Sequence, residues 1–193
     1  MEAFYSLQGE GFHTGKAAYF IRLAGCDVGC HWCDVKESWD VNAHPTKSVS
    51  SIVENALKYP TQIAIITGGE PLMHDLTELC GLLKQSGYQT HLETSGTHPI
   101  SGDWNWICFS PKKFKAPLGG FSKLAHELKV IVYNRSDLEF AKEHASQVGS
   151  DCYLYLQPEW DRSKEVTPMI MEFIKDNPKW KISLQTHKYL NIP

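Results

Sequence analysis

The sequence predicts an α/β fold built on a mainly parallel sheet, and three observations carry that prediction. Short apolar runs of strand length alternate with helical or loop segments at least four times along the chain. Some of these runs are almost wholly apolar, as expected of parallel strands covered on both faces. Six unusual polar runs each follow a predicted strand, and parallel sheets bind ligands at the carboxyl ends of their strands.

Taken in order, Phe4-Tyr5-Ser6-Leu7-Gln8-Gly9-Glu10-Gly11 mixes apolar and polar residues and is expected to run extended into a loop. Residues 18–23 form the first strand, and a cysteine-bearing stretch follows directly. Ser51 and Glu54 have the spacing of a capping box, with Val49, Ile52, Val53, Ala56 and Leu57 on one helical face. Residues 62–66 are the second strand, followed by Thr67-Gly68-Gly69-Glu70-Pro71. Asp75 is placed to cap a helix bearing Leu76, Leu79, Leu82 and Leu83, which Gly87 ends. A third strand near 90–93 leads into a Gly/Pro/Ser-rich stretch too short for a full crossover helix. Residues 106–109, 127–132 and 152–157 are the fourth, fifth and sixth strands, with a helix over 137–146. Pro168 suits the first turn of a last helix carrying Met169, Phe173 and Ile174, and a strand over 181–185 closes the fold.

The 193 residues suffice for one domain, 1–193, with a single sizeable core. A net charge of −3 gives no basic footprint for nucleic acid. No apolar run reaches membrane-span length and no signal region precedes the first strand, so a cytoplasmic protein without membrane contact is expected.

The chemistry concentrates in residues 25–34, where Cys26, Cys30 and Cys33 lie within eight residues. An odd local number of thiols suits a disulfide framework poorly, and clustered thiolates need a metal to hold them. Three protein ligands leave one position of a tetrahedral or cubane site open to something that is not protein. Cys80, Cys108 and Cys152 sit singly in apolar stretches and read as small hydrophobes. A zinc ribbon needs a second Cys/His pair at short spacing, which the chain lacks, so an iron–sulfur cluster is preferred to zinc. The run Thr67–Pro71 alone reads as a turn, but beside the cysteines its glycines suggest close backbone approach to a ligand.

The three-cysteine spacing followed by Gly68-Gly69-Glu70-Pro71 resembles the radical S-adenosylmethionine superfamily. The resemblance narrows to the 7-carboxy-7-deazaguanine synthase family, through Gln8-Gly9-Glu10-Gly11, Trp32-Cys33-Asp34, Glu93-Thr94-Ser95-Gly96-Thr97, Ser110-Pro111-Lys112, Glu127-Leu128-Lys129, Leu156-Gln157-Pro158 and Gln185-Thr186-His187-Lys188. It implies a partial (β/α) barrel with reduced helices, and a 4Fe-4S cluster on Cys26, Cys30 and Cys33 whose fourth iron binds S-adenosylmethionine. The implied activity is that of a lyase in queuosine and 7-deazapurine biosynthesis. A 5′-deoxyadenosyl radical takes hydrogen from 6-carboxy-5,6,7,8-tetrahydropterin, and ring contraction expels ammonia and gives 7-carboxy-7-deazaguanine. A one-electron donor such as flavodoxin or ferredoxin and a homodimer are implied as well.

The same resemblance assigns residues. Leu7, Gln8, Gly9, Arg22, Thr67 and the carboxylate of Pro193 are expected at the pterin, with Arg22 clamping its carboxylate. Gly69, Ser110, Pro111, Lys112, Gln157, Pro158, Glu159 and Trp160 are expected at S-adenosylmethionine. Glu10, Glu93, Ser95 and His187 are further candidates, as ligand contacts or as supports. The family usually shows Asp-Thr after the third cysteine, the threonine helping to hold Mg2+, but here the pair is Asp34-Val35. Either substrate oxygens, water and a group such as Asp34 hold Mg2+, or the dependence on it is weak. Two other readings stand beside this one: a glycyl-radical-enzyme activase, and a non-catalytic iron–sulfur or zinc module.

Overall fold

The structure, a computed structural model, describes residues 1–193. Its frame is one eight-stranded sheet whose strands lie in chain order. β1 (Glu2–Leu7) pairs antiparallel with β2 (Ala17–Leu23), so the expected extended opening is a true strand. From β2 onward all pairs are parallel, through β3 (Ile63–Gly68), β4 (Gln89–Thr94), β5 (Trp106–Phe109), β6 (Glu127–Val132), β7 (Tyr153–Pro158) and β8 (Trp180–Ile182). The sheet begins at β1 and ends at β8 without closing, which makes the barrel partial. Helices α1 (Val49–Ala56), α2 (Thr77–Gln85), α3 (Ser136–Ala145) and α4 (Ser163–Asp176) cover it, and the short α5 (Thr186–Leu190) follows β8. No α-helix joins β4 to β5 or β5 to β6, in line with the expected reduction.

Strand periodicity divides the side chains between two layers. Tyr19, Ile21, Ile66, Leu92, Ile107, Leu128, Val130 and Leu156 belong to the main core, together with Val53, Leu79, Leu83, Leu138, Ile170 and Phe173 of the helices. The alternate positions make a different layer. Register aligns Arg22 with Thr67, Glu93 with Cys108, Cys108 with Glu127, and Ile131 with Gln157. Polar and charged groups therefore share the inner face of the barrel, towards the carboxyl ends of its strands.

Several element boundaries differ from expectation by a residue or two, and four of the differences have a local reason. The capping serine of α1 is Ser48, whose Oγ accepts from the Ser51 N–H at 3.3 Å, so Ser51 and Glu54 lie inside the helix. Leu76 occupies the boundary position of α2, while Asp75 accepts the Thr77 N–H at 3.0 Å from one residue further out. α4 starts at Ser163 because the Glu159 carboxylate accepts the N–H groups of Asp161 and Arg162 at 3.2 and 3.1 Å. Pro168 is consequently inside the helix, on its exposed side. β8 stops at Ile182, beyond which Ser183 turns inward to donate to Gln157 Oε1 at 2.7 Å.

Candidate active site

The carboxyl ends of the strands surround a cavity of about 270 Å³, which takes in most of the polar runs. One wall is the cysteine loop. Cys26, Cys30 and Cys33 are all free thiols and all line the cavity. The loop leaves β2 through Gly25, which has φ of 102°, and the Cys33 N–H donates to the Cys30 carbonyl at 3.1 Å. Burial pushes the Cys30 thiol up to about 11 and raises Cys26 as well. A group that binds thiolates and takes their protons' place fits such a setting, and three soft sulfur donors suit iron–sulfur chemistry. His31 is exposed and packs edge-on against Phe114 and Tyr133, centroids 5.3 and 5.0 Å away, so it turns from the thiols.

The loop after β3 is laced to the cysteine loop. The Gly69 N–H donates to the Leu23 carbonyl at 3.0 Å and the Glu70 N–H to the Gly25 carbonyl at 2.8 Å. A Cβ on Gly69 would lie 2.8 Å from the Cys26 Cβ and would overlap the Gly25 carbonyl oxygen. These glycines therefore serve close packing of two backbones, while Gly69 also faces the cavity. Glu70, only 1% exposed, accepts from Thr94 Oγ1 at 2.5 Å, the Ser95 N–H at 2.8 Å and the Leu72 N–H at 3.1 Å, and also from Ser95 Oγ. Sequence reasoning assigned Glu70 no role of its own. It anchors the cysteine-contacting loop to the end of β4, and Ser95 is held in that anchor.

Thr67 and Arg22 sit side by side on the inner face and both line the cavity. Arg22 donates through Nη1 to Glu2, and its guanidinium lies 5.2 Å from the Phe4 ring centroid. The strand is buried through Ile21, but Arg22 itself is partly exposed. The wall opposite comes from β5 and β7. Lys112 donates to the Ser110 carbonyl and Oγ at 2.5 and 2.6 Å, and burial lowers its ammonium. Gln157, Pro158, Glu159 and Trp160 line the cavity beside it. Pro111, expected at S-adenosylmethionine, is buried and does not line the cavity, since it sits in the turn between Ser110 and Lys112.

The two ends of the chain meet here. The Thr186 N–H and Oγ1 each donate to the Gly9 carbonyl at 2.9 Å, and the Gly11 N–H donates to Ser183 Oγ at 2.9 Å. A Cβ at Gly9 would lie 2.8 Å from the His187 Cβ, so only glycine admits His187 this closely. Leu7, Gln8, Gly9, Glu10, His187 and Pro193 line the cavity, and the Pro193 carbonyl accepts from Ser6 Oγ at 3.1 Å. Between them lies a buried lysine that sequence reasoning gave no role. Lys129, its side chain 4% exposed, is ion-paired with Glu10 and, at 3.2 Å, with Glu93. Burial works against the Glu10 charge, but Lys129, His187 and the Gln185 amide outweigh it and hold this carboxyl at about 2. Its signal in the sequence is a lysine between apolar neighbours in β6.

Val35 also lines the cavity, and its side chain carries no oxygen. Its neighbour Asp34 accepts from Lys188 Nζ at 2.8 Å and Gln185 Nε2 at 3.4 Å. Val35 therefore brings no side-chain ligand for Mg2+, and the one carboxylate at this position is that of Asp34.

A profile described as Radical SAM superfamily matches residues 20–104. The 7-carboxy-7-deazaguanine synthase of Flavobacterium psychrophilum is 56% identical over 193 residues, covering 100% of this chain and 91% of its own. The chain belongs to the 7-carboxy-7-deazaguanine synthase family. The family member of Synechocystis sp. is 46% identical over 191 residues, with 99% of this chain and 91% of its own covered. The crystal structure of QueE from Escherichia coli superposes with a TM-score of 0.82 at 31% identity, covering 95% of this chain and 91% of that one. The family's radical S-adenosylmethionine chemistry implies a 4Fe-4S cluster and S-adenosylmethionine, which the thiol-lined cavity suits.

Proposed function

We propose that the chain converts 6-carboxy-5,6,7,8-tetrahydropterin to 7-carboxy-7-deazaguanine and ammonia, as a radical S-adenosylmethionine carbon–nitrogen lyase of 7-deazapurine biosynthesis. The observation that carries this reading is a single cavity joining the three thiols to a polar cradle built from both ends of the chain. A 4Fe-4S cluster bound there would supply the one-electron reduction that S-adenosylmethionine chemistry needs.

The chain's own residues bind and orient. Cys26, Cys30 and Cys33 would hold the cluster, and Gly69, Ser110, Lys112, Gln157, Pro158, Glu159 and Trp160 form the wall for S-adenosylmethionine. Glu10 and Glu93 offer acceptor oxygens to the N–H-rich edge of a pterin, with Gln8 and His187 beside them. Arg22 gives one nitrogen to Glu2 and keeps the rest of its fork for the substrate carboxylate. Thr67 and Pro193 complete the pterin side. No step passes through Mg2+, because Val35 supplies no ligand. An electron donor of the flavodoxin or ferredoxin type and a homodimer complete the proposal, and light scattering of the purified protein tests the dimer.

Anaerobic reconstitution with iron and sulfide tests the core of it. The expected product is a brown protein that cleaves S-adenosylmethionine only when reduced and given the carboxytetrahydropterin. A colourless zinc protein, or cleavage that responds to a partner protein and not to the pterin, overturns it.

A further inference from the structure

We propose that Lys129 is the positioning residue for pterin recognition, holding Glu10 and Glu93 as one ionised acceptor pair. This rests on the pterin reading above. Lys129 rises from β6 into the cavity with its side chain 4% exposed. Its ammonium meets Oε2 of Glu10 and Oε2 of Glu93, two carboxylates 83 positions apart in sequence that would otherwise repel each other.

The second oxygen of each carboxylate is committed in the same way. Glu93 Oε1 accepts from Gln8 Nε2 at 2.8 Å, and Glu10 Oε1 accepts from Gln185 Nε2 at 3.1 Å. Gln8 is oriented in turn, since its Oε1 accepts the Glu10 N–H at 3.0 Å. Each carboxylate oxygen has a second lone pair, so the pair still presents acceptors to the cavity. An N–H-rich ligand edge needs acceptors that are ionised, correctly turned and already desolvated. One ammonium between two carboxylates meets all three needs and leaves the trio with a net negative charge.

The neighbours do not substitute for it. Cys108 on β5 and Glu127 on β6 bring no positive charge, and burial raises both. Burial lowers His187 on α5, and Lys112 is hydrogen-bonded to Ser110. Without Lys129, the two carboxylates would repel each other across a mostly buried space, which favours proton uptake by the pair. A protonated carboxyl gives up acceptor capacity, so pterin affinity would become pH-dependent.

The test measures anaerobic binding of 6-carboxy-5,6,7,8-tetrahydropterin to the reconstituted protein between about pH 5.5 and pH 8.5, with S-adenosylmethionine affinity as an internal control. Lys129→Met is expected to weaken pterin binding at least about thirtyfold at pH 6 and to recover part of it as pH rises. S-adenosylmethionine affinity is expected to stay within about twofold, because Lys129 hydrogen-bonds Glu10 and Glu93 and no residue of the S-adenosylmethionine wall. Lys129→Arg keeps the charge, protects folding if the methionine variant is unstable, and moves the donors. It is expected to cost about tenfold in pterin affinity with the flat pH profile of the unsubstituted protein. Pterin affinity unchanged in Lys129→Arg, or a Lys129→Met loss that is equal for both ligands and flat with pH, overturns the proposal. Failure of the unsubstituted protein to bind the pterin at all sinks the functional reading instead.

Discussion

At Val35 a single side chain stands where a hydroxyl ligand for Mg2+ is expected, and the metal response of the site can be tested there. An isopropyl group lines the cavity where the family usually places a hydroxyl, and the adjacent Asp34 is paired with Lys188. Added Mg2+ is therefore expected to raise turnover by about twofold at most, and Val35→Thr is expected to acquire a larger response. Turnover in chelator, with and without added Mg2+, measures both, and strict dependence of the unsubstituted chain on Mg2+ contradicts the assignment. Glu70 gives a second prediction at this scale. Glu70→Ala strands the Thr94 and Ser95 hydroxyls and two backbone N–H groups in a buried place. It is expected to cost about 3 kcal/mol, read as a fall of about 10 °C in melting temperature. The cysteines were legible as residues because their spacing carries the chemistry. Glu70 was not, since a glutamate in a glycine-proline turn looks like punctuation until its hydrogen bonds are seen.

Among the elements, strands were more legible than helix ends. Strands β5 and β6 match the predicted runs residue for residue, because apolar segments in a parallel sheet announce themselves. Helix α4 was placed too late because its start depends on Glu159, a residue also expected at a ligand. Pro168 inside α4 removes an N–H that would serve the Lys164 carbonyl, so Pro168→Ala is expected to raise the urea midpoint, by up to about 3 kcal/mol of stability. The loop joining β1 to β2 carries a pH prediction. His13 lies 4.5 Å, ring to ring, from both His91 and Trp106, and neither of its buried ring nitrogens has a partner. Burial lowers His13 to about 4 and His91 to about 3. The unfolded chain binds protons there below about pH 6.5, while the folded chain refuses them until the lowered values are reached. Stability is thus full above that pH and falls as pH drops towards 4. Urea midpoints across this range should show the slope, and His13→Phe should flatten it.

For the whole molecule, the periodicity of the strands decides where function sits. One face of the sheet packs under the helices, and the other carries Arg22, Thr67, Glu93, Lys129 and Gln157 into one cavity. The gathering of polar runs at the strands' carboxyl ends was readable from their order along the chain. Which of them touch was not, because Gln8, Glu93, Lys129 and Gln185 are far apart in sequence and meet only through the sheet order. Residues 7–10 together with Gln185, His187 and Pro193 close the cavity on the side proposed for the pterin. The most direct test is product identification after anaerobic turnover of the reconstituted, reduced protein with S-adenosylmethionine and 6-carboxy-5,6,7,8-tetrahydropterin. The expected result is one 7-carboxy-7-deazaguanine and one ammonia for each pterin consumed; cleavage of S-adenosylmethionine with the pterin recovered unchanged would contradict it.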